Sequence, residues 1–203
     1  MINEPWFFAV RGNHEQMMIE AIKLSEKLKI DNNVHLTVLI EEANLFNHWE
    51  INGGLWHKSV EPNLLSSLVE KANKLPYVIV IGEGSERFNI VHAEMIYNSK
   101  FKFATDEDID AYNFDDINES SMLWGRSMIN HKEPWLNMKE ERALSTTICG
   151  HTPLESPLQL ETHMFIDTGA CFKYFNSKIN RTYRLSMVCL QDMGIYSLDI
   201  VND

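Results

Sequence analysis

The chain has 203 residues, 44% hydrophobic and 23% charged, the size and balance of one globular domain with a sizeable core, which excludes intrinsic disorder. A formal net charge of −11 argues against a nucleic-acid reader, because phosphates are bound chiefly by clustered lysine and arginine. No apolar run reaches the roughly 18 to 20 residues of a membrane span. The start MINEPWFF lacks the basic and apolar regions of a secretory signal, so the expected compartment is the cytoplasm.

In chain order, WFFAV (residues 6–10) is a continuous apolar run suited to a strand buried on both faces and ended by Gly12. VRGNHE then falls in a strand-to-helix loop. From His14 to about Leu28, Met17, Met18, Ala21, Ile22 and Leu28 recur at helical spacing, which turns Glu15, Gln16 and Glu20 outward. Residues 63–75 repeat the pattern with Leu64, Leu65, Leu68, Val69 and Ala72 on one face. YVIVI (77–81) and FNIVHA (88–93) flank GEGSER and predict a β-hairpin with His92 at a strand end.

The acids concentrate in residues 105–120, with Asp106, Glu107, Asp108, Asp110, Asp115, Asp116 and Glu119. Such a run reads as a solvated loop and helix start, and it leaves open a docking surface for a basic partner. STTIC (145–149) predicts another strand, after which Gly150 and Pro153 bracket His151 in a tight loop. MFIDTGACF and YRLSMVCLQDMGIYSLDIV read as closing strands. Cys149, Cys171 and Cys189 show no CxxC spacing and read as reduced core thiols. With no linker or internal repeat, the expectation is a single domain over residues 1–203, of α/β or α+β class with a mixed sheet.

Three predicted strand ends deliver Asn13, His92 and His151 into loops, where functional groups sit on a rigid sheet. One metal ion can share such groups, and an amide oxygen with two imidazoles suits Mn, Zn or Fe better than Ca. Taken singly, His92 in an apolar strand reads more readily as a hydrogen-bonded core residue than as a ligand. Arg11 and Arg126 have the forked guanidinium that clamps a phosphoryl group, and both also read as surface arginines. His14 has the chemistry of a general acid for a leaving alkoxide.

The segment PWFFAVRGNHEQMM resembles the GNHE region of the metallophosphoesterase (calcineurin-like) superfamily, specifically the bacteriophage lambda type of serine/threonine protein phosphatase. The likeness continues through NHWEINGGLW, LPYVIVI, IVHAE, LWGR, ICGHTP and FIDTGACF in the family's order. It implies a β-sandwich flanked by helices with a metal centre at the strand ends. On that resemblance Asn13, His92 and His151 are metal ligands, His14 is the catalytic acid, and Arg11 and Arg126 hold the substrate phosphate. One or two divalent ions are implied, manganese first, with zinc, iron and nickel as alternatives. A hydroxide held by the metal attacks phosphorus in line, without a phosphoenzyme.

The family's GDxHG and GDxxDRG motifs, which precede GNHE, are not in this chain. It therefore reads as an N-terminally truncated form, matching the C-terminal two-thirds of the family domain, with Glu15 and Glu94 as the carboxylates that could stand in as ligands. Exposed sheet edges would then need cover from a homodimer or a protein partner. Two functions remain open: a phosphatase acting on phosphoproteins or small phosphoesters, and an inactive pseudophosphatase retained as a protein-binding module, such as a phage-encoded inhibitor of a host or defence protein.

Overall fold

The computed structural model describes residues 4–30, 35–95, 104–112, 114, 116–130, 143–174 and 183–200. The chain forms two compact units, Met1–Pro76 and Tyr77–Asp203.

The described part of the first unit is helical. Helix α1 (Asn13–Ile30) starts where the Gly12 carbonyl accepts the Gln16 amide, and Glu15 reaches back to accept the Gly12 N–H at 3.0 Å. That is one arm of a capping box, and it satisfies an amide the helix itself leaves orphaned. The buried face of α1 carries Met17, Met18, Ala21 and Ile22, as its periodicity predicts. It packs with Trp49 of α2 (Leu36–Ile51) and with Leu65, Val69 and Ala72 of α3 (Pro62–Ala72). Proline opens α3, where its missing N–H costs nothing and its fixed φ favours the helix. Leu64, expected on the buried face, is exposed.

The strand expected at residues 6–10 does not form. Trp6 and Phe8 are 69% and 75% exposed, and no described strand of this unit runs alongside to take their backbone groups. Apolar continuity is compatible with a buried strand, but a strand also needs a hydrogen-bonded neighbour. The segment is instead joined to the end of the unit by Arg11 N–H donating to the Pro76 carbonyl at 2.7 Å.

The second unit carries a five-stranded mixed sheet in the order β1-β2-β3-β5-β4. Strands β1 (Val78–Ile81) and β2 (Phe88–Val91) form the predicted antiparallel hairpin, turned at Gly82. Its φ of +75° and the closeness of the Glu86 carbonyl leave no room for a Cβ there. Strand β3 (Thr146–Cys149) runs parallel to β2 and to β5 (His163–Phe165), and β4 (Leu158–Leu160) closes the edge antiparallel. Val91, Met122, Met128, Cys149 and Phe165 are among the core side chains. A separate hairpin of β6 (Arg184–Cys189) and β7 (Gly194–Asp199) realises the second predicted closing stretch, whereas of MFIDTGACF only Met164 and Phe165 are in a strand and Ala170–Tyr174 form a 3-10 turn.

Among the described residues, this unit also has the short α-helices α4 (Asp106–Asp110), α5 (Asp116–Trp124) and α6 (Ser127–Asn130). Thr105 and Asp108 cap α4 reciprocally. The acidic run is thus a helix start, yet Asp106 is not simply solvated. It accepts the Ser145 hydroxyl at 2.6 Å and the Asn89 amide at 3.0 Å, and it faces the Arg87 guanidinium at 3.3 Å. These partners hold its carboxyl below the usual range against the opposing effect of burial. Asp115 lies outside the described residues. Of the three thiols only Cys149 is in the core, while Cys171 is exposed and Cys189 half-buried, which corrects the expectation for the last two. Among the described residues no helix is long and apolar enough to cross a membrane.

Candidate active site

In the first unit, Arg11, Asn13 and His14 gather at the N-terminus of α1, where the helix dipole favours an anion. Asn13 is the first helical residue and only 4% exposed, whereas His14 is exposed. The Arg11 guanidinium donates from Nη1 to Gln16 Oε1 at 3.2 Å and from Nη2 to the Asn73 carbonyl at 2.6 Å. Asn73 is the C-cap of α3, so Arg11 ties the start of one helix to the end of another. Beside His14 opens a pocket of about 440 Å³, lined by apolar side chains of the same unit.

In the second unit, His92 follows β2 and His151 follows β3. The two strands are parallel, so both imidazoles leave the sheet at its carboxyl end, the edge where open α/β sheets bind ligands. His92 Nε2 and His151 Nδ1 stand 3.0 Å apart. Gly150 N–H donates to the His92 carbonyl at 2.9 Å and fixes the two loops together. His151 has φ +65°, in the left-handed region that costs a residue with a Cβ on the order of 1–3 kcal/mol. The Trp124 ring meets its imidazole edge-on at 6.1 Å.

Arg126 belongs to the same constellation through its backbone. It sits in the two-residue link between α5 and α6, and its carbonyl accepts the Asn130 amide. Glu94, two residues after His92 and 1% exposed, accepts Ser127 N–H on Oε1 at 2.8 Å and Met128 N–H on Oε2 at 3.0 Å. Ala93 N–H donates to Met122 O at 2.9 Å, and Ser121 Oγ donates to Glu94 O at 3.2 Å. The segment that presents His92 is therefore stitched to both sides of the turn that presents Arg126. Gly125 is required inside it, since a Cβ there would fall on Glu94 Cγ and the Ser121 carbonyl.

Burial pushes the Glu94 carboxyl above its ordinary value, opposed by the two amides it accepts. Glu94, a carboxylate that the sequence offers as a substitute metal ligand, has both oxygens occupied in capping α6. Glu15, the other, holds the Gly12 amide. No local pattern signals the Glu94 contact, which joins residues 33 and 34 apart. The same holds for His163. That side chain is fully buried in β5, accepts the Met95 N–H on Nε2 at 3.0 Å, and has its pKa lowered to about 3 by burial alone.

The imidazole pair fits two positions of a metal shell. Around a tetrahedral ion with metal–nitrogen bonds of about 2.0–2.1 Å, two ligand nitrogens lie roughly 3.3 Å apart, close to the 3.0 Å seen between His92 and His151. Their hydrogen bond leaves one ring nitrogen unprotonated, the form that ligates, and an ion held by both would displace the proton that the other carries. Among the described residues no group of three His, Cys, Asp or Glu side chains converges to complete such a shell. Asn13 belongs to the first unit and is not part of this pair.

These features define a mixed α/β protein whose parallel strand ends present paired imidazoles next to an arginine-bearing turn. In sequence, the chain is a distant relative of bacterial serine/threonine protein phosphatases. It is 25% identical over 173 residues to serine/threonine-protein phosphatase 2 of Salmonella typhimurium, covering 84% of this chain and 65% of that protein. Phosphatase 2 of Escherichia coli gives 25% over 175 residues, and phosphatase 1 of Salmonella typhimurium 23% over 175. The chain thus spans about 65% of the length of these relatives. No protein-family model matches it. A hypothetical protein of Pyrococcus horikoshii superposes over 97% of this chain and 63% of its own at a TM-score of 0.41 and 11% identity, too loose a likeness to carry an argument.

Proposed function

We propose that the chain hydrolyses phosphate monoesters, as a metal-dependent phosphatase of the metallophosphoesterase type acting on phosphoproteins or small phosphoesters. The observation that carries this reading is the convergence of His92 and His151 at the ends of parallel strands, tied by backbone hydrogen bonds to the turn bearing Arg126. The distant likeness to named protein phosphatases supports it. The finer fold reading, a β-sandwich flanked by helices, rests on the resemblance alone.

In this reading His92 and His151 hold a divalent ion, manganese or zinc first, with Asn13 as the third ligand the resemblance assigns. When bound, the ion supplies a water acidic enough to attack phosphorus at neutral pH. Arg126 carries a forked positive charge that binds two phosphate oxygens and offsets charge developing on them. Arg11 serves the same phosphate in the resemblance, while its observed contacts hold the start of α1 in place. His14, exposed in the first turn of α1, donates the proton that lets the ester oxygen leave as an alcohol.

The test is hydrolysis of 4-nitrophenyl phosphate and of a phosphoserine peptide by the purified chain with added manganese or zinc. Turnover that requires the ion and falls by about a hundredfold or more in His92→Ala supports the reading. Background rates with either ion would contradict it and place the chain among binding modules.

A further inference from the structure

All the residues that line the pocket beside His14 belong to the first unit. Its volume of about 440 Å³ lies toward the small end of the roughly 300–1,000 Å³ of small-ligand sites, room for a compact ligand of one or two rings. Phe7, Met18, Trp49 and Trp56 supply apolar walls, and His14 and Glu15 are the only ionisable residues of the lining.

The aromatic wall is fixed by its surroundings. Trp49 is 1% exposed and stacks on His57 at 4.7 Å and 19°, and His57 bonds to Glu50 at 2.9 Å. Gly54 lies against the same indole, and a Cβ there would fall 2.5 Å from Trp49 Cδ1, so the position excludes a side chain. Trp56 meets Trp49 edge-on at 5.7 Å and 89° while remaining 44% exposed. With one indole held and the other accessible, a flat ring gains from ring–ring geometry as well as from burial.

The polar side of the pocket sets the charge of its ligand. Glu15 is half-buried and accepts the Gly12 N–H on Oε2 at 3.0 Å, which leaves Oε1 to accept from a donor on the ligand. Its negative charge, with no lysine or arginine in the lining, disfavours an anion. The positive end of the α1 dipole disfavours a cation at the same place. Apolar walls add the cost of desolvating either charge. An uncharged ring carrying one hydrogen-bond donor meets all three conditions.

We propose that this pocket binds a small, uncharged aromatic heterocycle of the indole type, its ring against Trp49 and Trp56 and its N–H donated to Glu15. The site is independent of the phosphatase reading, since no residue of the second unit takes part in it.

The test is calorimetric titration of the full chain, without added metal, with indole as the probe. Indole should bind saturably at one site per chain. 1-Methylindole keeps the rings and lacks the donor, and it should bind at least about fivefold more weakly although its methyl group adds apolar surface. Indole-3-acetate and tryptamine, an anion and a cation at neutral pH, should each bind at least about tenfold more weakly than indole. Trp56→Ala and Leu68→Ala should each weaken indole binding by about fivefold or more, with circular dichroism checking that both variants fold. No saturable binding of indole, equal affinity for indole and 1-methylindole, or a charged analogue bound as tightly as indole overturns the proposal, and these comparisons need only the unaltered protein. Indole binding that neither substitution weakens overturns it as well.

Discussion

At the scale of single residues, His92 and His151 differ from His163 in where their nitrogens point. His92 and His151 face each other at strand ends, whereas His163 is enclosed in β5 and accepts a backbone N–H. Burial lowers the folded-state pKa of His163 to about 3, below the roughly 6.5 of an exposed imidazole. Between those values the unfolded chain binds the extra proton and the native state does not, so acid favours unfolding. The stabilisation is complete above pH 6.5 and is lost as the pH falls toward 3. At pH 5 this amounts to about 2 kcal/mol relative to pH 7.5. Urea unfolding at the two pH values should show His163→Gln losing less stability on acidification than wild type by about that amount, and parallel losses would contradict the assignment.

At the scale of elements, the short helix α6 is set by a carboxylate from another part of the chain rather than by its own sequence. Glu94→Ala leaves the Ser127 and Met128 amides without their acceptor, at a cost of roughly 1–3 kcal/mol. The predicted result is faster hydrogen exchange at those two amides, by about tenfold or more, with little change in β5. A global loss of protection would instead make Glu94 a general core residue. Gly125→Ala should have a comparable effect, because its methyl group displaces the Glu94 side chain. Periodicity made α1, α3, the β1–β2 hairpin and β3 legible, since each carries its pattern within a few residues. It failed at residues 6–10, where the apolar run has no strand to pair with, and it could not show that Glu94 caps a helix more than thirty residues away.

At the scale of the whole molecule, the candidate site was legible in part because chemistry-bearing residues fall just after strands, and strand ends can be read from sequence. His92 and His151 do meet, although 59 positions separate them. Arg11 and Asn13 lie at the expected helix start, but the observed bonds of Arg11 to Gln16 and Asn73 depend on packing that no local pattern encodes. If the imidazole pair holds an ion, binding to the native state must stabilise it by mass action. Zinc at a hundred times its dissociation constant adds about 2.7 kcal/mol, which for a chain of this size raises the midpoint of thermal unfolding by roughly 5–10 °C. A chelator and His151→Ala should each abolish the rise, and an unchanged midpoint with zinc would remove the metal from the account. The most direct measurement compares wild type with His14→Asn in the metal-supplemented hydrolysis of 4-nitrophenyl phosphate. A rate that depends on the ion and drops by about a hundredfold or more on loss of the acid is the predicted result. Equal, ion-dependent rates for the two proteins would contradict the role given to His14, and equal rates at background level would contradict the claim that this chain is a phosphatase.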